Sequence, residues 1–235
     1  MGFDLILTAH QPLFLPYLGH FEKIGSSDVF VYMDTLNYSK WNWYSRNKIR
    51  VGYGEGWIWL VVPVLTNGKH NQKINEVEID NSQKWKKKHL KSIEMSYSKA
   101  PYYKNYIEFF KETYSKEWKY LSDLNEHFLK FFIKELGINV KFIKASDLEF
   151  DLDGVKSDRV LDLCKKMKCD TFIFGKDGKL YAKIDDFNKS NIKIVFQDYK
   201  HPEYQQIHGN FIPYMSIIDL LFNCGNESLK ILKLK

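Results

Sequence analysis

A chain of 235 residues with 44% hydrophobic and 16% aromatic content can bury one sizeable core, and its longest apolar run, Trp57 to Leu65, is too short to span a bilayer. The formal charge of +6 rests on 32 lysines and only three arginines (Arg46, Arg50 and Arg159); readers of nucleic acid lean on arginine for bidentate contacts, so nucleic acid is excluded as the expected partner. Three cysteines (Cys164, Cys169 and Cys224) without ligand spacing point to reduced, partly buried thiols, and with no cationic leader before an apolar stretch the expected compartment is the cytoplasm.

Leu5 to Thr8 reads as a short buried strand and Val29 to Met33 as a second. Between them Leu18, Phe21 and Ile24 have helical spacing, and Gly25-Ser26 ends the segment. Such a strand–helix–strand unit requires parallel strands and a right-handed crossover. Trp57 to Val64 is a third strand, entered through Gly52, Gly54 and Gly56, whose spacing suits a turn or hairpin rather than a dinucleotide fingerprint. Ile74 to Ile79 reads as a further strand. The spacing then turns helical over 84–97, 100–114 and 117–136, with Pro101 where a helix can begin and Gly137 where one ends. Strand 140–143, helix 157–167, strand 171–174, a short helix near Asp185, strand 192–196 and a last helix over 214–223 complete the chain. The expected fold is α/β, a mainly parallel, Rossmann-like sheet with helices on both faces. A helical segment at about 84–136 is inserted in what reads as one domain over 1–235.

Polar residues gather where the strands end. His10 and Gln11 follow the first strand, the place where open α/β sheets bind ligands, and Pro12 and Pro16 fix the shape of that loop. His10 is a candidate general base; a capping or core histidine is the plainer alternative. Nucleotidyltransferases of the class I synthetase type place a His-x-Gly-His motif here on ATP phosphates; His10 and Gly19-His20 stand in that order but wider apart. Asp34, Lys40, Arg46, Asn47 and Lys48 follow the second strand. Asp34 suits a base or a hydroxyl ligand, and Lys40, Arg46 and Asn47 suit a phosphate or carboxylate. Trp41, Trp43 and Tyr44 between them offer stacking surfaces for a sugar or base. An exposed turn is the alternative for Lys40 and Lys48.

Gly175 to Lys179 offers backbone amides to an anion, with Tyr181 nearby, or is a plain turn. Gln197, His201, Tyr204 and Gln205 form a polar cluster after the last strand. Ser216 and Asp219 share a helix face, for a ligand or for a structural hydrogen bond. Lys84 to Lys88 with Lys91 reads as a solvated face, and Asp147, Glu149, Asp151 and Asp153 lack the pattern of a calcium loop. No metal ligand set is expected.

Several of these stretches resemble the WbqC-like family. They are His10-Gln11-Pro12 through Gly19-His20-Phe21-Glu22-Lys23-Ile24, Ser45 to Ile49, Trp59 to Val64, Ala100 to Tyr103, His201 to Tyr204 and Phe211 to Gly225. His20 departs from the family's pattern, which more usually has an aromatic residue there. The resemblance implies an enzyme from a surface-polysaccharide (O-antigen-like) locus that modifies a nucleotide-linked sugar. The expected reaction is acyl or aminoacyl transfer to an amino sugar, and association with other polysaccharide-synthesis enzymes is implied. In that reading His10, Asp34 and Lys40 are catalytic, while Gln11, Arg46, Asn47, Gly175, Tyr181, Gln197, His201, Ser216 and Asp219 bind substrate. ATP with Mg²⁺ or acyl-CoA is the candidate donor. A non-catalytic sugar-nucleotide or glycan binding protein serving a glycosyltransferase complex is the alternative.

Overall fold

A computed structural model describes residues 4–40 and 42–232. Its centre is a sheet of five parallel strands. Strand β1 (Ile6–His10) is followed by helix α1 (Leu18–Gly25) and β2 (Val29–Tyr32). The hairpin of β3 (Arg46–Arg50) and β4 (Trp57–Val61) comes next, then α2 (Trp85–Tyr97), α3 (Tyr103–Ser115) and α4 (Leu121–Glu135). Strand β5 (Lys141–Lys144), α5 (Ser157–Met167), β6 (Thr171–Phe174), α6 (Ile184–Lys189) and β7 (Lys193–Phe196) restore the alternation. Helices α7 (Ile217–Cys224) and α8 (Ser228–Ile231) end the described chain.

The spatial order is β5-β2-β1-β6-β7, and every neighbouring pair is parallel. Counting only the strands of this sheet, the order is third, second, first, fourth, fifth, that of a doubly wound Rossmann sheet. The chain builds outward from β1 to one edge, then returns to lay β6 on the other side of β1. Residues on β2 alternate between two cores, because successive side chains of a strand point to opposite faces. Phe30 and Tyr32 face a core shared with α1, α4, the hairpin, α2, α3 and α7. Val29, Val31 and Met33 face a second core with α5 and α6. Both faces are therefore covered, as the apolar strand runs require.

One expected strand is corrected, and one strand that was not expected is present. Ile74 to Ile79 is not a strand: Ile74–Glu76 forms a 3₁₀ turn, closed by the Lys73 N–H donating to Glu76 Oε2 at 2.9 Å. The run then makes only single bridges, Val64 with Ile79 and Glu78 with Tyr120. Ile74, Val77 and Ile79 are buried all the same, so a spacing of three and then two served a turn followed by an extended link. Conversely, Arg46 to Arg50 is a strand, hidden by a composition that disfavours strands. Its partner supplies the compensation: the Lys48 ammonium lies 3.7 Å from the Trp57 ring centroid and the Arg46 guanidinium 4.6 Å from that of Trp59. Cys164 and Cys169 are buried free thiols under α5, and Cys224 is half-buried. No helix among the described residues is long and apolar enough to cross a membrane.

Candidate functional site

Ligands of open α/β sheets sit outside the carboxyl ends of the strands where the strand order reverses. Here that place lies between β1 and β6, and a cleft of about 640 Å³ opens there. His10 and Gln11 leave the end of β1, Phe174 and Gly175 the end of β6, and the start of α1 and part of α5 complete the wall.

The loop joining β1 to α1 is fixed from outside. Asn47 on β3 donates its amide to the Leu15 carbonyl at 2.7 Å and the Phe14 carbonyl at 3.2 Å, while its own oxygen accepts the Lys48 N–H at 2.8 Å. Leu15 adopts a left-handed φ of 45°, a strained conformation for leucine that these bonds hold in place. Phe14 N–H donates to the Trp43 carbonyl, and Ile217 N–H at the start of α7 donates to Pro16. Gly19 is required for space: a Cβ there would come within 2.5 Å of Tyr17 Cε2.

Three basic side chains sit in the cleft wall: His10, and His20 and Lys23 one helical turn apart on α1. The His10 and His20 rings meet edge to face with centroids 4.9 Å apart. His10 Nδ1 donates to the Gln11 carbonyl at 2.8 Å, which leaves Nε2 as the acceptor. Burial first, and then the charge of Lys23, lowers the His10 pKa to about 3 against the opposing carbonyl bond. Burial, followed by His10 and Lys23, holds His20 well below the ordinary histidine range, and its Nε2 is buried with no hydrogen-bond partner. Both imidazoles are neutral at physiological pH. Lys23, only 3% exposed, donates to the Ala9 carbonyl at 3.1 Å. Burial lowers its pKa to about 7, although Glu22 pulls the other way.

The rim is cationic. Lys156, Arg159 and Lys176 line it, and among the described residues none of the three has a carboxylate within ion-pair distance. Asp177 is the acidic group beside them, and Tyr17 and Tyr181 flank the opening. Gln197, from the end of β7, donates to the Gly19 carbonyl at 2.7 Å and to the Glu22 carboxylate. No three His, Cys, Asp or Glu side chains among the described residues converge as a metal site.

Of the residues expected to act together, the cleft collects His10, Gln11, Gly175, Tyr181 and Gln197. The others lie elsewhere. Asp34 is fully buried beyond β2, where it accepts from Ser146 N–H at 3.0 Å and Ser146 Oγ at 2.7 Å, tying β2 to the turn after β5. Lys40 is exposed, and Arg46 lies against Trp59 on the hairpin. Trp43 packs at a tilt against Trp59 away from the cleft, Tyr44 is in the core, and Trp41 lies outside the described residues. His201 donates Nδ1 to the Pro202 carbonyl and accepts the Tyr214 N–H on Nε2, so both ring nitrogens serve to hold its loop.

Ser216 caps α7 by accepting the Ile218 N–H. Asp219 is wholly buried and accepts from Tyr97 and Tyr204 hydroxyls and the Gln206 amide, at 2.8 to 2.9 Å. Arg50 joins that network through Gln206 and staples the hairpin turn to the carbonyl groups of His208 and Asn210. Asn47 acts on the cleft only through the loop it clamps. Sequence reasoning missed Lys23 and Arg159 as site groups, and it read the turn that holds Lys176 for its backbone amides. Lys23 reads as a surface lysine after Glu22, and its one distinguishing mark is its place on the same helical face as His20.

Rv1507c, an uncharacterized protein of Mycobacterium tuberculosis (strain ATCC 25618 / H37Rv), is 31% identical to this chain over 220 residues, 93% of each protein. No solved structure matches. The WbqC-like protein family is matched over residues 11–231, from the loop after β1 to α8, and the chain belongs to that family.

Proposed function

We propose that this chain is a cytoplasmic enzyme of surface-polysaccharide biosynthesis that binds a nucleotide-linked sugar in the switch-point cleft and modifies it by acyl or aminoacyl transfer to an amino sugar. The observation that supports it most is the pairing of a cationic rim (Lys156, Arg159, Lys176) with neutral proton acceptors deeper in the same cavity. A diphosphate suits the rim, where the lysines and the arginine supply charge and the turn after Gly175 supplies backbone amides. Tyr17 and Tyr181 offer flat faces to a base or sugar ring. In this reading the sugar amine attacks the acyl carbon as its free base, His10 Nε2 takes the proton that the attacking nitrogen then sheds, and the donor's leaving group departs. Acyl-CoA, or an adenylate made from ATP and Mg²⁺, are the two donor classes to screen.

Thermal shift against UDP- and dTDP-linked sugars with and without an amino group, ATP-Mg²⁺ and acyl-CoA tests the proposal, since a ligand that prefers the folded state raises the melting temperature. An amino-sugar nucleotide should stabilise the protein together with one donor, and Arg159→Ala with Lys176→Ala should weaken that effect. Stabilisation by the sugar nucleotide alone, unaltered by donors and followed by no transfer product, would favour a binding protein over an enzyme. No shift at about millimolar ligand would overturn the sugar-nucleotide assignment.

A further inference from the structure

Acyl transfer as described leaves Lys23 without a task. Its ammonium would lie in a nearly dry wall, held by the Ala9 carbonyl at 3.1 Å. The neighbouring carboxylate of Glu22 is engaged by the Gln197 amide, and no ion pair to Lys23 forms among the described residues. His10 from β1 and His20 from α1 are the titratable groups beside it, and Lys156 and Arg159 on α5 with Lys176 and Asp177 after β6 face the same cavity. A lysine kept from counter-charge in this way sheds its proton and becomes a nucleophile at neutral pH. A lysine serving only the fold has no need to line a ligand-sized cavity beside an unpartnered histidine nitrogen.

We propose that Lys23 is a nucleophile of the cleft, forming an imine with an aldehyde or ketone that carries a phosphate, of which a nucleotide-linked keto sugar is the class that fits both ends of the cavity. It rests on the cleft and the anionic ligand of the reading above, and is independent of acyl chemistry. The amine lone pair forms a bond to the carbonyl carbon, and the carbonyl π pair moves to oxygen, which takes a proton from nitrogen. The resulting hydroxyl then leaves as water with the second nitrogen proton while the nitrogen lone pair closes the C=N bond. No oxidant or reductant is involved, and water reverses the step. His10 Nε2 and the unpartnered His20 Nε2, both uncharged, are the candidates to carry the proton between nitrogen and oxygen. An imine acidifies the adjacent C–H, which is what a keto sugar gains from the bond.

Pyridoxal 5′-phosphate, used purely as a probe that combines an aldehyde with a dianionic phosphate, tests this on the intact protein. Borohydride fixation near pH 7 followed by peptide mapping should place the adduct on Lys23 at least about tenfold above any other lysine, because an ordinary lysine is almost wholly protonated there. Pyridoxal without the phosphate should label Lys23 about tenfold more slowly, as should the phosphate probe on Arg159→Ala/Lys176→Ala, since both remove the charge pairing at the rim. Lys23→Met should lose the adduct while melting no lower than the parent protein. Labels spread evenly over surface lysines, or an adduct at Lys23 only above about pH 9, would overturn the proposal. Lys23 labelling that no nucleotide sugar protects would sustain the imine and sink the sugar-nucleotide reading. Stabilisation by a nucleotide sugar with no Lys23 adduct would do the reverse.

Discussion

Replacing Lys23 by methionine removes a buried amine while keeping the length of an unbranched side chain, so the stability of the variant measures what that amine costs the fold. The lysine pKa falls from 10.5 to about 7 on folding, and burial is the leading cause. At roughly 1.4 kcal/mol per unit, the folded state then carries about 5 kcal/mol of penalty wherever the buried group is charged. Methionine forfeits the bond to the Ala9 carbonyl, worth about 1 to 1.5 kcal/mol net. The variant should therefore gain about 3 kcal/mol near pH 6, or on the order of 6 to 12 °C in melting temperature for a chain of this size. Because the folded pKa is depressed, unfolding of the parent takes up a proton between about pH 7 and 10.5, and its stability rises with pH through that window. The advantage of Lys23→Met should shrink by up to about 1.4 kcal/mol per pH unit above neutrality and vanish near pH 10. Urea denaturation of both proteins at about pH 6, 8 and 10 reads this directly. A stability difference that does not change with pH, or a variant weaker than the parent at pH 6, would refute the assignment of Lys23 as an uncompensated buried amine.

Asn47→Ala should cost about 2 to 3 kcal/mol in denaturant titration, because it leaves the buried Phe14 and Leu15 carbonyls unsatisfied and releases the left-handed turn at Leu15. Asp219→Asn should destabilise by about 3 to 5 kcal/mol, since its amide turns a donor either toward the Tyr97 hydroxyl or toward the Tyr204 hydroxyl and the Gln206 amide, which bond opposite oxygens of the carboxylate. That loss should appear in the denaturation midpoint, with ligand affinity of the folded fraction unchanged. Glycines of the cleft should separate by space: Gly19→Ala would push on Tyr17 at 2.5 Å and Gly178→Ala on Phe174 at 2.6 Å. Each should lower stability by about 1 to 3 kcal/mol, whereas Gly175→Ala meets nothing within 4 Å and should leave the melting temperature unchanged.

Apolar runs of strand length alternating with helical spacing decided, from sequence alone, that this is a parallel sheet covered on both faces. Those patterns are local: helix α5 and strand β6 fall on the very residues their spacing marked, because a period of 3.6 or a short apolar run is written within a dozen residues. The placing of His10 and Gln11 at the carboxyl edge of the sheet was legible for the same reason, since His10 ends β1 and Gln11 follows it. What stayed hidden depends on contacts between distant parts of the chain. The cleft exists because β6 pairs with β1 across some 165 residues, as in the register of Ile6 with Thr171. No local pattern records that juxtaposition. Whether a polar residue serves the fold or the site follows from it: Asp219 and Asn47 find complete sets of partners in the core, while Lys23 is left facing the cavity with one carbonyl. Sequence assigns each of these residues its chemistry, and tertiary packing decides which of them is left with chemistry to spare, because only packing determines how much water and counter-charge each one keeps.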